Sequence, residues 1–295
     1  MKIAVLTHNM SPYSQRRFTE AGKLRNHKIF FIQLSHCYMN LSTQAPVVYY
    51  HDAESLNKLE AIIPRINPSH TFYGTAVLRQ FERMKVYTLN SSLAIIWSRD
   101  KIRALQQLAR CDLPLPITGI ADTPAESEKL IELVGGAPLI VRLLEGTEGK
   151  GTIFAETNIA ALSVINAFKQ LKANILVQES IQEAEGQDIR CVVIGNKVAA
   201  AVQRKIEEPK SKSRKEILSH TQAVDITEEE REIAIKAAKS LNLNLASVDL
   251  IRSKRGPLLL DVNPSPNIEM LETATKIDIA GLILEFIETN AKKHD

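Results

Sequence analysis

Short apolar runs alternate with helical segments up to about residue 97, and this alternation constrains the fold most strongly. Residues 2–6 are apolar and predict a buried parallel strand, and a second strand is predicted at 28–32. Helices are predicted near 15–25 and over 72–84, with an apolar run at 61–66 before the second of them. This order predicts a small α/β domain with a mostly parallel sheet.

A break follows at Pro114 and Pro116, because proline does not fit inside a helix. The prolines come after a helix predicted over 100–110, for which Ser98 is a candidate N-cap. We therefore expect a domain transition near residues 98–118.

Further strands and helices are predicted after the break. Between 119 and 180 the order is strand, helix (125–134), strand (139–144), strand, helix (159–171) and strand (175–179). Gly195-Asn196 then indicates a hairpin between strands at 190–194 and 197–204. The highly charged residues 205–220 predict a mobile loop.

A capping-box pattern, Thr227 with Glu230, marks the start of a helix over 228–241. Two strands and a last helix complete the prediction, at 245–251, 257–263 and 278–290.

The composition excludes few classes of function. Lys and Arg total 37 against 34 for Asp and Glu, so the net charge of +3 favours no particular polyanion. The N-terminal apolar run is too short for a signal peptide, and no stretch approaches the roughly 18 apolar residues of a membrane span. We expect a cytoplasmic protein. Cys37, Cys111 and Cys191 form no CxxC pair and are expected to be buried thiols.

Glu145-Gly-Thr-Glu-Gly-Lys-Gly151 is the first candidate site. Glycines let the backbone approach a phosphate chain and direct N–H groups at it. The pattern is neither a Walker motif nor GxGxxG, and it precedes a strand instead of a helix. A plain hairpin turn is the alternative interpretation.

The second candidate is the set Asp249, Asp261 and Asn263, which lies on two apolar strands of a probable hairpin. Residues two apart on a strand project from the same face, and the odd numbering favours one shared face for all three. Two carboxylates and an amide oxygen suit Mg²⁺, which fills its octahedron with water and nucleotide phosphate. A salt bridge to Arg252 or Lys254 at the strand ends is the alternative.

Two weaker signals in the sequence indicate binding of a nucleotide base and of phosphate groups. Residues 177–181 form an apolar strand that becomes a linker, a segment that can read an adenine edge. A cation on an apolar strand usually needs an anionic partner, and phosphate is a natural one. The candidate cations are Lys101, Arg142, Arg190, Arg204 and Lys205. No histidine cluster and no Ser-His-Asp or Cys-His set is legible in the sequence.

Taken together, the motifs resemble the RimK-type ATP-grasp ligases. The likeness rests on the sequences at 141–151, 177–181, 188–195, 247–251 and 261–266, the last of them Asp-Val-Asn-Pro-Ser-Pro. It extends nearly end to end through Ser-His-Cys-Tyr-Met-Asn at 35–40, Ile-Pro-Arg-Ile at 63–66, Thr-Phe-Tyr-Gly-Thr-Ala at 71–76 and Lys-Ile-Asp-Ile-Ala-Gly at 276–281.

The resemblance implies an α/β and α+β protein with the ATP-grasp fold. An N-terminal α/β pre-ATP-grasp domain would span 1–98, a small subdomain with a glycine-rich lid 99–180, and a C-terminal subdomain with a metal site 181–295. ATP would lie between the two subdomains.

It also implies roles for individual residues. Lys101 and Arg142 would hold phosphates, Gly149 and Gly151 would belong to the lid, and Arg204 would stabilise an acyl phosphate and the following oxyanion. The adenine and ribose pocket would comprise Gln178, Glu179, Ser180, Ile181 and Asp188. Asp249, Asp261 and Asn263 would bind Mg²⁺ or Mn²⁺.

The implied reaction adds L-glutamate to a protein or peptide carboxylate, in the nearest case the C-terminus of a small-subunit ribosomal protein. A substrate carboxylate would attack the γ-phosphate of ATP, and the amine of glutamate would then displace phosphate. No membrane and no direct nucleic-acid partner is expected. The family suggests a homo-oligomer, possibly a tetramer.

The chain departs from the family pattern in three places. Arg142 replaces a usual Lys, and Asp261 replaces a usual Glu. Residues 208–220 lack the expected Phe-Arg-Ser-Asn and Arg-Gly-Gly elements, and Lys212, Ser213 and Arg214 occupy the positions that would contact the nucleotide.

These departures leave two alternatives open. The chain could be an ATP-grasp ligase for another amino acid or acceptor. It could also be a catalytically impaired nucleotide-binding protein, with the cationic segment 204–215 as a surface for ribosomal RNA. The intact metal set argues against the second alternative.

Overall fold

The computed structural model describes residues 1–9, 11–42, 46–51, 54–56, 58–122, 126–144, 151–205 and 221–291. The chain forms two compact units. The first comprises Met1–Leu113, Gln187–Leu250 and Asp261–Asp295, and the second comprises Pro114–Gly186 and Ile251–Leu260. Both units are discontinuous in sequence, whereas the expected domains 1–98, 99–180 and 181–295 are consecutive. Those three domains stay a proposal.

A four-stranded parallel sheet forms part of the first unit. Its strands, in spatial order, are β2 (Lys28–Gln33), β1 (Lys2–Thr7), β6 (Ala61–Arg65) and β7 (Tyr87–Thr88). Helix α1 (Pro12–Leu24) follows β1, and helix α2 (Thr71–Arg83) follows β6. The predicted α/β character of the N-terminal region is confirmed. A small antiparallel sheet, which the alternation did not predict, contains β3 (Cys37–Asn40), β4 (Val47–Tyr50) and β5 (Glu54–Ser55).

Helices α3 (Ser92–Arg99) and α4 (Lys101–Arg110) follow without a loop between them. Asp100 caps α4, because its Oδ1 accepts a hydrogen bond from the N–H of Arg103 at 3.0 Å. The prediction of Ser98 as this N-cap is wrong. Ser98 lies inside α3, and its hydroxyl donates to the carbonyl of Ile95 at 3.0 Å.

A five-stranded antiparallel sheet carries most of the candidate site. In spatial order its strands are β14 (Thr221–Ala223), β13 (Lys197–Lys205), β12 (Gln187–Ile194), β15 (Leu245–Ser253) and β16 (Gly256–Asn263). The hairpin at Gly195-Asn196 is confirmed, since Ile194 pairs with Lys197. The capping box is also confirmed: Glu230 N–H donates to Thr227 Oγ1 at 3.2 Å, and Thr227 N–H donates to Glu230 Oε2 at 2.8 Å.

That capping box opens helix α7 (Glu228–Ser240), and helices α8 (Ile268–Thr275) and α9 (Ile279–Ala291) follow β16. The last two helices complete the main core of the first unit. Ile3 and Val5 of β1 belong to one buried cluster with Ile268 and Ile283. Residues of the parallel sheet and of the last two helices therefore belong to one apolar core, which also includes Phe18 and Ala21 of α1.

The described residues of the second unit include an antiparallel sheet and the α-helices that pack on it. Its strands, in spatial order, are β10 (Thr152–Ala155), β9 (Leu139–Leu143), β11 (Ile175–Glu179) and β8 (Thr118–Gly119). Helices α5 (Ser127–Leu133) and α6 (Asn158–Gln170) pack on one face, where Val141, Val177 and Ile165 are buried together. The opposite face carries Arg142 and Gln178, because side chains alternate along each strand.

Within the described parts of the chain, no helix combines the length and apolar character needed to cross a bilayer.

Candidate functional site

Charged side chains of β12, β13 and β15 form one cluster in the first unit. Arg190 pairs in register with Asp249 on β15, and Asp188 pairs with Arg204 on β13. Asp188 and Arg190 are two apart on β12, so they project from the same face. Antiparallel pairing therefore brings these four residues together, as confirmed by their contacts.

The cluster is tightly hydrogen-bonded. Arg190 donates from Nε and Nη2 to the two oxygens of Asp249, at 2.7 and 2.6 Å. Arg204 donates from Nε to Asp188 Oδ1 at 2.8 Å and from Nη2 to Asp188 Oδ2. The same Nη2 also reaches Asp249 Oδ2 at 3.0 Å. Two-pronged pairs of this kind fix the direction of both side chains.

The pKa values of Asp249 and Asp188 are shifted in opposite directions by the balance of burial and neighbouring charges. Burial raises the pKa of Asp249, but the charges of Arg190 and Arg204 outweigh it and lower that pKa to about 2. For Asp188, burial is the largest effect and raises the pKa. The negative charge of Asp249 also raises it, and the two effects together outweigh the lowering by Arg204. Asp249 is therefore the carboxylate of the pair that stays ionised most firmly.

Asp261 belongs to the same electrostatic environment. Burial lowers the pKa of Arg190, but the charges of Asp249, Asp188 and Asp261 more than compensate and leave it above its ordinary value. Asp261 Oδ1 accepts from Lys101 Nζ and, at 2.9 Å, from the N–H of Val262. Three carboxylates thus meet three cations, Lys101, Arg190 and Arg204, so the cluster is close to electrically balanced.

Asn263, two residues further along β16, turns its side chain toward the loop that follows. Its Oδ1 accepts from the N–H of Ser265 at 3.0 Å. Ser247, two residues before Asp249 on β15, is buried, and its hydroxyl has no hydrogen-bond partner among the described residues. Ser247 Oγ and Asn263 Oδ1 can therefore each accept at least one further hydrogen bond.

The donor atoms of Asp249, Asp261 and Asn263 are carboxylate and amide oxygens, the type that a divalent cation such as Mg²⁺ prefers. The partners of Asp249 among the described residues are Arg190 and Arg204, instead of the Arg252 or Lys254 of the alternative interpretation. Among the described residues, no three His, Cys, Asp or Glu side chains could hold a metal by themselves. A site here needs the amide oxygen of Asn263 beside the two carboxylates, and Mg²⁺ accepts such a set of hard oxygens.

A second group of predicted residues lies in the second unit. Arg142 of β9 is opposite Leu176 of β11, and Gln178 follows two positions later on the same face. Arg142 Nε and Gln178 Oε1 are both buried and have no hydrogen-bond partner among the described residues. A buried donor and a buried acceptor left unpaired are costly, so this face is suited to a polar ligand.

Glu179, Ser180 and Ile181 follow Gln178 at the end of β11. The Glu179 carboxylate accepts from the N–H of Ile117 at 2.7 Å and pairs with Arg255 at 2.5 Å. Both of these contacts of the Glu179 carboxylate are with residues of the second unit. Ile181 is buried beside Ile251 and Leu258.

Gly151 is the described part of the glycine-rich loop. Its φ is +105°, and an added Cβ would lie 2.9 Å from the side chain of Leu143, so the position requires glycine. Its carbonyl accepts from Leu143 N–H at 2.8 Å. Gly149, Lys212, Ser213 and Arg214 lie outside the described residues.

Sequence reasoning missed two positioning residues. Asn90 is fully buried; its Oδ1 accepts from the N–H groups of Asn244 and Leu245, and its Nδ2 donates to the carbonyls of Leu245 and Pro264. Thr118 contacts Gln178. Neither residue stands in a recognisable motif, and only the fold brings each to its partners.

Family models match nearly the whole chain. Residues 1–95 match the RimK PreATP-grasp domain, and residues 98–287 match the RimK-like ATP-grasp domain. A protein of Coxiella burnetii (strain Dugway 5J108-111) named "Probable alpha-L-glutamate ligase" is 53% identical over 292 residues, covering 99% of this chain and 97% of its own. A protein of the same name from Hydrogenovibrio crunogenus is 52% identical over 295 residues, covering 100% and 98%.

Solved structures share the fold at lower identity. The RimK domain protein ATP-grasp from Sphaerobacter thermophilus is 20% identical, with a TM-score of 0.74 over 97% of this chain and 99% of that one. The ATP-grasp ligase PsnB, complexed with precursor peptide PsnA2 and AMPPNP, is also 20% identical, with a TM-score of 0.76 and 98% of each chain covered. The ATP-grasp fold with an N-terminal pre-ATP-grasp domain is confirmed. By these matches the chain belongs to the RimK-like ATP-grasp family and is an ATP-dependent, amide-forming ligase.

Proposed function

We propose that this ligase adds L-glutamate to the carboxylate of a protein or peptide through an acyl phosphate, with the C-terminus of a small-subunit ribosomal protein as its acceptor. The observation that carries the proposal is the buried cluster of Asp188, Arg190, Arg204 and Asp249 beside Asp261. Phosphoryl transfer is catalysed mainly by positioning and by neutralising charge, and this cluster supplies fixed charges of both signs.

The residues divide into two tasks. Asp249, Asp261 and Asn263 would hold Mg²⁺ or Mn²⁺, which neutralises phosphate charge when bound. Lys101, now paired with Asp261, is available to a phosphate once a cation takes over that carboxylate. Arg142 would hold phosphate as well, and its unpaired Nε supports this role.

The nucleotide base and sugar would be held by Gln178, Glu179, Ser180, Ile181 and Asp188. Gln178 Oε1 offers an unpaired acceptor for the base. The Glu179 side chain, occupied by Ile117 and Arg255, would fix the strand end whose backbone faces the base. The proposed contacts to the phosphates also include Gly149, Gly151, Lys212, Ser213 and Arg214.

The chemistry then follows two steps. An acceptor carboxylate oxygen attacks the γ-phosphorus, the bond to the β-phosphate oxygen breaks, and ADP leaves. The uncharged amine of glutamate attacks the acyl carbon, phosphate leaves, and the amine gives up a proton to form the amide. Arg204, which now contacts Asp188 and Asp249, would stabilise the oxyanion of the second step in exchange for these carboxylate partners.

The choice of glutamate rests on the names of the relatives, which share half or more of their residues with this chain over nearly its whole length. A peptide acceptor is supported by PsnB, which has been solved with a precursor peptide. A homo-oligomer, possibly a tetramer, and a cytoplasmic location are part of the same proposal.

One observation favours a second candidate, a ligase for another amino acid or acceptor. Residues 208–220 read Glu-Pro-Lys-Ser-Lys-Ser-Arg-Lys-Glu-Ile-Leu-Ser-His and lack the family's usual arginine–asparagine and double-glycine elements. A sequence segment with changed charges and no glycines offers different groups to a substrate.

The deciding experiment incubates the protein with ATP, Mg²⁺, labelled glutamate and a ribosomal fraction. ADP release together with labelled glutamate in a ribosomal protein is the expected result. ADP release only with a different amino acid would favour the second candidate. Tight ATP binding without ADP release under any acceptor would leave a nucleotide-binding protein and overturn the proposal. Omitting the metal and then restoring it tests the cation in the same assay.

A further inference from the structure

A short chain of hydrogen bonds in the second unit controls which way the Gln178 amide faces. Thr118 Oγ1 lies 2.9 Å from the carbonyl oxygen of Pro116 and 2.9 Å from Gln178 Nε2. A carbonyl oxygen can only accept, so the single proton of the Thr118 hydroxyl must point at Pro116. The hydroxyl oxygen therefore has to accept from Gln178, which places the NH₂ group of that amide toward Thr118.

This arrangement leaves the other end of the amide with a defined polarity. Gln178 is 2% exposed, and its Oε1 is buried with no hydrogen-bond partner among the described residues. The amide cannot rotate to offer its NH₂ at that place without pointing Oε1 at the Thr118 oxygen, whose proton is already committed. The unpaired group is thus held as an acceptor.

We propose that Thr118 is a specificity-determining positioning residue, which fixes Gln178 as a hydrogen-bond acceptor and thereby selects adenine over guanine nucleotides. The inference rests on the proposed placement of the base against Gln178. Adenine presents an exocyclic amine at its position 6, which can donate to Gln178 Oε1. Guanine and hypoxanthine present a carbonyl oxygen there, and two acceptors facing each other in a buried place lose the bond and repel.

The register of the sheet makes Thr118 the residue able to do this. Thr118 on β8 is directly opposite Gln178 on β11, and Ile140 on β9 flanks Gln178 on the other side. Ile140 has no side-chain hydrogen-bonding group, so of the two cross-strand neighbours Thr118 alone can orient the amide. Pro116 contributes only its carbonyl oxygen, which substitution of its side chain would leave in place.

The test compares Thr118→Val with Thr118→Ser. Valine keeps the volume and the branched shape but removes the hydroxyl, so the Gln178 amide is free to turn its NH₂ outward. Serine keeps the hydroxyl and serves as the matched control. The dissociation constants of ATP, GTP and ITP are measured by calorimetry for each protein, with Mg²⁺ present and no acceptor.

We expect the wild type and Thr118→Ser to prefer ATP to the same degree. Thr118→Val should lose at least tenfold of the preference for ATP over GTP and over ITP, through weaker ATP binding and tighter binding of the other two. A Thr118→Val protein that binds ATP with the wild-type preference would overturn the inference. If Thr118→Val fails to fold, Gln178→Leu gives the second measurement: an unchanged ATP preference without the acceptor overturns the inference equally. A wild type that binds no ATP would instead overturn the proposed placement of the nucleotide.

Discussion

Arg190 and Asp249 are joined across neighbouring strands by two parallel hydrogen bonds of 2.7 and 2.6 Å. A lysine cannot reproduce this planar two-pronged contact, because its charge is concentrated on one nitrogen. We expect Arg190→Lys to stay folded and to lose about 10- to 100-fold in kcat/KM, of the size expected when a residue that orients a site is displaced. ADP release measures the loss. Arg231→Lys is the control, since Arg231 pairs with Glu228 at 3.3 Å on the surface of α7; an equal loss there would contradict the prediction.

Removing one of the proposed oxygen ligands should weaken metal binding. We expect Asp249→Ala and Asn263→Ala each to abolish measurable ADP release, because two carboxylates and one amide oxygen form the complete proposed set. The affinity for Mn²⁺, followed by its paramagnetic signal in the presence of ATP, should fall in both variants. Asn267→Ala is a suitable control: it removes the N-cap of α8 and should cost about 1 kcal/mol of stability while metal binding remains. Activity retained in either ligand variant would rule out the metal assignment.

The low pKa of Asp249 predicts a pH-dependent contribution to stability. The folded-state pKa of about 2 lies below the ordinary value of 3.8, so the ionised carboxylate stabilises the fold above pH 4 and loses this effect as the pH falls toward 2. The difference corresponds to about 2 kcal/mol. Asp249→Asn should therefore lower the free energy of unfolding more at pH 7 than at pH 2.5, as measured by urea denaturation at both values.

Asp188 provides the matched comparison, because burial raises its pKa instead. A carboxyl with a raised pKa destabilises the fold when it ionises, so Asp188→Asn should cost less at pH 7 than Asp249→Asn does. Equal costs for the two substitutions at pH 7 would contradict the opposite directions of their pKa shifts.

Asn90→Ala should be strongly destabilising. The substitution leaves the N–H groups of Asn244 and Leu245 and the carbonyl of Pro264 without their partner in a buried place. We expect a loss of about 2–4 kcal/mol in the free energy of unfolding. Asn196→Ala, at the exposed hairpin turn, should change it by less than about 0.5 kcal/mol. Chemical denaturation of both variants measures these changes. Similar losses in the free energy of unfolding would show that the hydrogen bonds of Asn90 do not stabilise the fold.

Comparing Gly151→Ala with Gly135→Ala separates two effects of an added methyl group on stability. One is backbone strain, and the other is a steric clash with a neighbouring side chain. Both Gly151 and Gly135 have positive φ, +105° and +87°, but a Cβ at Gly135 meets no atom within 4 Å. Gly135→Ala should cost about 1 kcal/mol from backbone strain alone, and Gly151→Ala about 2 kcal/mol or more because the methyl also meets Leu143. Thermal unfolding measures the difference. Equal costs would mean that Leu143 moves aside freely.

Local signals in the sequence predicted local structure well. The hairpin at Gly195-Asn196 and the capping box of Thr227 and Glu230 each depend on residues at most three apart, and both are confirmed. Ser98 shows the limit of such reasoning. A serine and an aspartate both precede the helix, and only the observed end of α3 at Arg99 decides that Asp100 is the cap.

The electrostatics of the site could not be predicted in the same way. The alternative interpretation of the sequence paired the charged residues of the metal set with Arg252 or Lys254 at the strand ends, which lie close to Asp249 along the chain. The observed partners of Asp249, Arg190 and Arg204, lie 59 and 45 residues away, on β12, which neighbours β15, and on β13, the next strand beyond it. Sequence patterns identify charged residues in apolar strands, but strand register decides which charges meet.

The four hydrogen bonds of Asn90 also have a consequence for biosynthesis. Their partners lie as far as 174 residues further along the chain. At roughly 5–20 residues per second of translation, about ten to thirty seconds pass before Pro264 has been made. During that interval Asn90 lacks its partners, and Ile3 and Val5 lack the helix that carries Ile283. The apolar core that contains the parallel sheet is therefore completed only after the C-terminal helices have been synthesised.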